Sequence, residues 1–217
     1  MSRQLPLILF FILFLFCSSL LTVNAQVGPL VYKNYYVKII ILNDCSALLS
    51  YDMELENTGT VPVVPGYGLI NLSSGKVVSA SSSVMGRRGE AVIEGNAVRY
   101  SVWEVINPGK SIKVEVNLTV SGFLNKGILF DEFQATIGPI SYPVIRGDVV
   151  VVPPAGKSIV YLSKSSLNAM KPGDIARVRG ELSSIPLPLL PFSWYPVFWT
   201  AVIAVILLAF VIRRVRR

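Results

Sequence analysis

The C-terminal end of the chain carries an apolar segment that constrains how the rest can fold. Every residue over 198–212 except Thr200 is apolar, and four of the last five residues are arginine. Aromatic residues favour the membrane interface, while arginines stay on the cytoplasmic side. The segment therefore predicts a transmembrane helix over 195–212 that runs from outside to inside, followed by a cytoplasmic arginine-rich tail over 213–217. The residues expected at the two membrane interfaces are Trp194, Tyr195, Trp199, Arg213 and Arg214.

The N-terminal residues have the pattern of a secretory signal peptide. Arg3 precedes an unbroken apolar run over 7–16, and a cleavage pattern ending in Ala25 follows. This predicts a signal peptide over residues 1–25 and a mature chain that begins at Gln26. An uncleaved anchor is the alternative, because the apolar stretch is about long enough to cross a bilayer core of roughly 30 Å.

Composition and charge exclude several function classes. The 217 residues contain no histidine, which excludes histidine-based nucleophile systems and histidine-ligated metal sites. The formal net charge is +7, but Arg3 and the four C-terminal arginines carry five of these charges. The region between the two ends is therefore nearly neutral, which argues against a nucleic-acid partner.

The region between the ends shows the two-residue period of β-strands. Over 111–120, apolar residues occupy every second position, and residues 49–56 alternate in the same way. Such alternation is typical of strands with one buried and one exposed face. The apolar runs 37–42 and 149–152 are dense enough to predict central strands.

Turn residues separate these runs at short intervals, as in Asn57-Thr58-Gly59 and Asn107-Pro108-Gly109. Short strands with frequent turns predict an all-β fold, and specifically an antiparallel Ig-like β-sandwich of about seven or more strands over 26–183. A split into two small sandwiches near residues 140–145 is the alternative. Three prolines within 184–194 predict an extended, stiff connector between this domain and the transmembrane helix.

The candidate chemical motifs have simple structural interpretations. Gly109-Lys110-Ser111 and Gly156-Lys157-Ser158 lack the upstream glycine of a phosphate-binding loop, so no nucleotide is expected. The acidic pair Asp131-Glu132 lacks nearby carboxylates in sequence and is expected to be a solvated loop pair. Cys45 is the cysteine that remains after signal removal, which excludes an intrachain disulfide, and we expect a small buried residue there.

The most specific modification signals are two glycosylation sequons, Asn71-Leu72-Ser73 and Asn117-Leu118-Thr119. Asn117 falls on the polar face of the strand over 111–120, where a glycan can project without disturbing the core. We therefore expect glycosylation at Asn71 and Asn117.

Two phrases resemble the Ig-like extracellular domains of the CARDB kind, which are common in archaeal surface proteins. They are the strand and turn over 53–63, with Asn57-Thr58-Gly59, and the Pro108-Gly109 start of the strand over 106–114. The resemblance implies a β-sandwich. A Pro-Gly-led strand followed by Tyr142-Pro143 is also similar to the luminal part of ribophorin I, a type I membrane subunit of oligosaccharyltransferase. That similarity implies an accessory, non-catalytic role.

Together these features predict a non-catalytic, single-pass type I membrane protein with the bulk of the chain outside the cytoplasm. We expect its β-sandwich to bind or stabilise partner proteins as an accessory subunit of a membrane complex, with an oligosaccharyltransferase-like assembly as one candidate. The alternative is a free-standing cell-surface or envelope protein with a structural or adhesive role. The expected partners are the lipid bilayer and other membrane or surface proteins, with no nucleic acid, nucleotide, cofactor or metal ion.

Overall fold

The computed structural model describes residues 28–127, 130–163, 166–184 and 195–215. These residues form a mostly β fold followed by one apolar C-terminal helix, which confirms the all-β prediction at this level. The elements are β1 (Leu30–Ile41), β2 (Ala47–Asn57), β3 (Gly66–Asn71), β4 (Lys76–Val84), β5 (Arg87–Gly89), β6 (Ala91–Glu94), β7 (Ala97–Val102), β8 (Ser111–Ser121), β9 (Leu124–Asn125), β10 (Asp131–Ile137), β11 (Val144–Val152), β12 (Ser158–Leu162), β13 (Ala176–Ser183) and α1 (Tyr195–Val215).

The strands form three sheets. A six-stranded sheet has the order β11-β1-β2-β8-β4-β5, a four-stranded sheet β12-β13-β10-β9, and a three-stranded sheet β3-β7-β6. The prediction of a wholly antiparallel arrangement is wrong for one pair, because β1 and β11 run parallel. The prediction of a central strand at 149–152 is also wrong, since β11 is at the edge of its sheet. The apolar run over 149–152 does not require a central position, because Val149 and Val151 are buried even at this edge.

The apolar residues that alternate along the predicted strand over 111–120 are buried, as the sequence predicts. On β8 the side chains of Ile112, Val114, Val116, Leu118 and Val120 are buried. Side chains from all three sheets meet in one hydrophobic core, for example Val116, Val98 and Phe133. β11, which begins within the 140–145 segment at Val144, pairs with β1, and its Val149 belongs to the same core.

The two turn phrases singled out in the sequence meet at the side chain of Asn57, which is fully buried. Asn57 Nδ2 donates to the carbonyl oxygens of Val61 and Ile106, each at 2.8 Å, and Oδ1 accepts the Gly59 N–H at 2.9 Å. The Gly109 N–H donates to the Asn57 carbonyl oxygen at 2.8 Å. Gly109 has a φ of 69°, as expected for glycine in a Pro-Gly turn. One buried amide therefore joins the turn after β2 to the turn before β8.

Asp131 and Cys45 differ from their predicted environments. Asp131 opens β10 and is buried, where its carboxylate pairs with the Lys157 ammonium and accepts the Gly127 N–H at 3.2 Å. The ion pair compensates the burial of the carboxylate, so the expectation of a solvated loop residue is wrong for Asp131. Glu132, its neighbour, is exposed as expected, but it lies in β10 and not in a loop. Cys45 is half-buried in the turn between β1 and β2, with a φ of 65°.

Strand registers define two ends of the β body. At one end Ile41 and Val120 both pair with Ala47, and Leu182 pairs with Asp131. The Phe123 N–H bonds to the Cys45 carbonyl oxygen at 2.8 Å and joins these turns. The last strand finishes here, so we call this the exit end. The opposite end, which holds the Asn57 turn, is called the far end.

Helix α1 runs further than predicted, through Val215, so Arg213 and Arg214 lie in its last turn and not in a separate tail. Pro196 lies in the first turn, as expected, where its missing N–H costs no helical hydrogen bond. The Thr200 hydroxyl donates to the Pro196 carbonyl oxygen at 2.7 Å. Within the described residues this helix is long and apolar enough to cross a membrane, since the 19 residues Pro196–Arg214 span about 28 Å.

Glu54 on β2 illustrates how polar groups stabilise the outer face of the six-stranded sheet. Its carboxylate accepts hydrogen bonds from the Ser111 hydroxyl at 2.8 Å and the Asn34 amide at 2.5 Å, and lies 3.4 Å from the Lys33 ammonium. The Ser111 hydrogen bond, helped by Asn34 and Lys33, lowers the pKa of Glu54 below its usual value. Since the folded-state pKa is the lower one, Glu54 stabilises the fold above its unfolded-state pKa of about 4.3.

We predict that this stabilisation is lost as pH falls through the folded-state pKa of Glu54. Glu54→Gln should therefore show a smaller loss of stability than the wild type below about pH 4, measured as the urea midpoint over a pH series. Ser111→Ala removes the largest cause of the lowered pKa and should change the pH dependence in the same direction by less. Identical pH dependences for the wild type and Glu54→Gln contradict the prediction.

Candidate protein-binding surface

An exposed apolar patch lies on the outer side of β3 and β7 and of the chain beyond them. Its members are each between 43% and 60% exposed. We call the following six residues the aromatic patch: Val61, Val64, Tyr67, Leu69, Trp103 and Val105. Single exposed apolar residues are common, but several on neighbouring strands are a feature of interaction sites.

The pairing of β3 with β7 places the centre of the aromatic patch. Tyr100 and Val102 point into the core, so the alternation directs Arg99 and Trp103 outward. Arg99 pairs with Leu69 in the register of the two strands. The Tyr67 and Trp103 rings meet edge-on, with centroids 4.9 Å apart.

A glycine under the aromatic patch allows β3 to lie directly on a buried tyrosine. A Cβ atom at Gly68 would lie 2.1 Å from the Tyr100 ring, so only glycine fits between Tyr67 and Leu69. The Tyr100 hydroxyl donates to the sulfur of Met53 at 3.5 Å, and burial raises the pKa of Tyr100 to about 12. Tyr100 therefore remains a protonated, well-packed support for the patch at neutral pH.

Arg99 is held against the aromatic patch in a fixed orientation. Its guanidinium carbon lies 4.7 Å from the centroid of the Tyr67 ring, and its Nε donates to Glu94 Oε1 at 2.7 Å. The hydrogen bond to Glu94 raises the pKa of the Arg99 guanidinium, so its charge persists over the accessible pH range. Trp, Tyr and Arg are the residue types most often found at binding hot spots, and all three are in contact here.

The two sequon asparagines lie outside the aromatic patch. Asn117 is exposed on β8, between Ser50 and Ser81 of the neighbouring strands. Asn71 ends β3 and is half-buried, two residues beyond Leu69. Both positions remain predicted glycosylation sites.

The residues predicted for the membrane interface belong to α1 or precede it. Trp199 packs edge-on against Phe130, with ring centroids 6.2 Å apart. Arg213 and Arg214 are exposed at the other end of the helix. Tyr195 begins the helix, and Trp194 lies outside the described residues.

The described part of the chain has no group of three or more cysteine, aspartate or glutamate residues arranged to hold a metal ion. In the two Gly-Lys-Ser triplets, Lys157 pairs with Asp131, and Lys110 donates its N–H to Asn107 in the turn before β8. Neither triplet precedes a helix. The aromatic patch is therefore the strongest candidate for a functional surface.

The aromatic patch was not predicted from the sequence, although a signal for it exists. The alternation of Val98, Tyr100 and Val102 predicts a buried face, and it equally places Arg99 and Trp103 on the exposed face. A large aromatic residue and a basic residue on the exposed face of one strand are the sequence signal that could have predicted a binding surface. The contact with Tyr67 could not be read from the chain, because it depends on the register of two strands separated by 25 residues or more.

No protein-family model matches the chain. An uncharacterized protein of Methanocaldococcus jannaschii is 28% identical over 131 residues, which cover 56% of this chain and 90% of that protein.

Among solved structures, an M1 zinc metallopeptidase from Deinococcus radiodurans aligns with a TM-score of 0.40 and 12% identity, over 72% of this chain and 39% of that chain. Leukotriene A4 hydrolase from Saccharomyces cerevisiae aligns with a TM-score of 0.46 and 6% identity, over 74% of this chain and 31% of that chain. The chain thus spans less than half the length of either enzyme.

Proposed function

We propose that this chain is a non-catalytic, single-pass membrane protein whose extracytoplasmic Ig-like β-sandwich binds a partner protein, as an accessory subunit of a membrane complex. The observation that carries the proposal is the aromatic patch with its contact between Trp103, Tyr67 and Arg99. An oligosaccharyltransferase-like assembly is one candidate complex, on the strength of the ribophorin I similarity alone.

The composition and the fixed side-chain contacts of the aromatic patch support protein binding. Trp and Tyr bury large apolar areas at low entropic cost, and the Glu94–Arg99–Tyr67 contacts orient the guanidinium before a partner arrives. A surface preorganised in this way loses less conformational freedom on binding than flexible side chains do.

The C-terminal helix supports membrane anchoring. Its apolar stretch matches the thickness of a bilayer core, and Arg213 and Arg214 at its end favour a cytoplasmic C-terminus. The Thr200 hydroxyl donates to the Pro196 carbonyl oxygen, so this polar group is paired within the helix. The β body, which precedes the helix, would then lie outside the cytoplasm.

We predict that a chain of residues 26–184, which lacks the predicted signal peptide and α1, is soluble and β-rich, whereas the full chain fractionates with membranes. The reason is that the body buries its own core across three sheets, while the apolar residues of α1 are exposed. Ultracentrifugation of both chains and far-UV circular dichroism of the shorter one check this. Membrane association of the shorter chain, or a helix-dominated spectrum, is the contrary result.

Co-purification from mild detergent separates the proposed function from its alternative. A stoichiometric membrane partner supports the accessory subunit. Recovery of the chain alone, under conditions that preserve other membrane complexes of the same cells, supports a free-standing surface or envelope protein.

A further inference from the structure

We propose, building on the protein-binding function above, that the aromatic patch docks a folded extracytoplasmic domain of the partner, well away from the bilayer surface. The occupant is then neither lipid nor a membrane-embedded segment. Three features of the described residues lead to this: the position of the patch along the body, the charges around it, and the hydrogen-bonding groups that Arg99 still offers.

The aromatic patch extends toward the far end of the body. Val63 and Ile106 form a β-bridge, with Val64 and Val105 directly beside it. The Ile106 carbonyl oxygen is held by Asn57, whose turn defines the far end. The ten steps of β2 between the exit end and this turn cover roughly 33 Å.

The chain leaves the body at the exit end and continues toward α1 from there. Phe130, which directly precedes the start of β10 at the exit end, contacts Trp199 of α1 with ring centroids 6.2 Å apart, so the anchor holds that end close to the bilayer. The valine end of the patch then lies about one body length above the membrane surface. A partner that reaches it needs a domain that stands out from the bilayer by a similar height.

The charges around the aromatic patch do not suit a lipid surface. Membrane-binding surfaces combine apolar residues with a basic rim, which the anionic headgroups attract. Here three carboxylates accompany two guanidinium groups, and two of these carboxylates lie in ion pairs that lipid insertion would desolvate. The five rim residues are Arg87, Arg99, Glu90, Glu94 and Glu104.

The remaining N–H donors of Arg99 indicate which chemical groups the partner surface carries. A guanidinium has five N–H donors in a fixed plane, and the Glu94 contact involves the Nε donor. The terminal amino groups can therefore bond a backbone carbonyl or carboxylate of the partner while Trp103 and Tyr67 bury apolar surface beside it. We infer an apolar protein surface with an oxygen acceptor at its margin.

Site-specific photo-crosslinking of the full chain in its native membranes tests this proposal. Tyr67→p-benzoylphenylalanine keeps an aromatic ring in the aromatic patch, and Lys126→p-benzoylphenylalanine, at an exposed position near the exit end, serves as the matched control. We expect the Tyr67 probe to give cross-linked peptides from an extracytoplasmic domain of another protein. The Lys126 probe should give at least several-fold less of that product.

Cross-links from the Tyr67 probe to lipid, to a transmembrane segment or to a second copy of this chain overturn the proposal while leaving partner binding intact. A co-purifying partner that the Tyr67 probe does not cross-link also overturns it, provided that the variant chain keeps the wild-type melting temperature. The complete absence of a co-purifying partner instead overturns the proposed function. The two failures are therefore distinguishable.

Discussion

Val116→Asp should destabilise the β body by several kcal/mol, enough to unfold it or to lower its melting temperature sharply. Val116 is fully buried on β8, in the centre of the six-stranded sheet. The neighbours of Val116 on the adjacent strands are Tyr51 and Ser82, which offer no cation to the new carboxylate, so it must take up a proton or force local unfolding. Thermal melting of the wild type and the variant measures the effect.

Neighbouring substitutions turn this result into a test of the strand assignment. Val114→Asp should also cost several kcal/mol, because Val114 is buried. Glu115→Ala and Lys113→Ala should change stability by less than about 0.5 kcal/mol, since both side chains are exposed and the 3.7 Å contact of Lys113 with Asp52 is a surface ion pair. Similar melting shifts for inward and outward variants would refute the two-residue period.

Asn57→Asp should lower the free energy of unfolding by about 3–5 kcal/mol, although it only replaces the side-chain NH2 group by an oxygen. The aspartate loses both N–H donors to the carbonyl oxygens of Val61 and Ile106, and it places acceptor oxygens against acceptors in a fully buried site. A neutral protonated carboxyl replaces only one of the two donors. Denaturant titration should show a lower midpoint.

Asn57→Ala should also lower the midpoint, because the Gly59 N–H and the Val61 carbonyl oxygen both lose their hydrogen bonds to the Asn57 side chain. Asn125→Ala is the control, since Asn125 is exposed on β9 and lies in no glycosylation sequon. If the Asn57 and Asn125 variants melt alike, Asn57 does not join the two turns.

Local periodicity was sufficient to predict several of the strands and, for β8, its buried face. The alternation over 111–120 predicted β8 and the burial of Val116, and the density of turn residues predicted a β-rich body. The apolar C-terminal stretch likewise predicted a helix long enough to cross a membrane. These features depend on residues close together in the chain, where a two-residue or a 3.6-residue period is directly visible.

Features that depend on distant pairing were not predicted. The parallel alignment of β1 with β11 joins segments more than 100 residues apart. The Asp131–Lys157 ion pair forms because the start of β12 and the start of β10 both lie beside the end of β13, and nothing beside Asp131 in the sequence shows this. The aromatic patch also depends on distant pairing, since Tyr67 and Trp103 come together only through the register of β3 with β7.

The most direct test of partner binding is quantitative co-purification of the full chain from mild detergent, comparing Trp103→Ala with Tyr36→Ala. Both aromatic residues are about half exposed, but Tyr36 lies on the outer face of the six-stranded sheet, outside the aromatic patch. Truncation of a hot-spot residue costs about 2 kcal/mol or more, roughly a thirtyfold loss of affinity. We predict that Trp103→Ala loses the partner while Tyr36→Ala retains it at wild-type stoichiometry. Equal recovery of the partner with both variants would contradict the account.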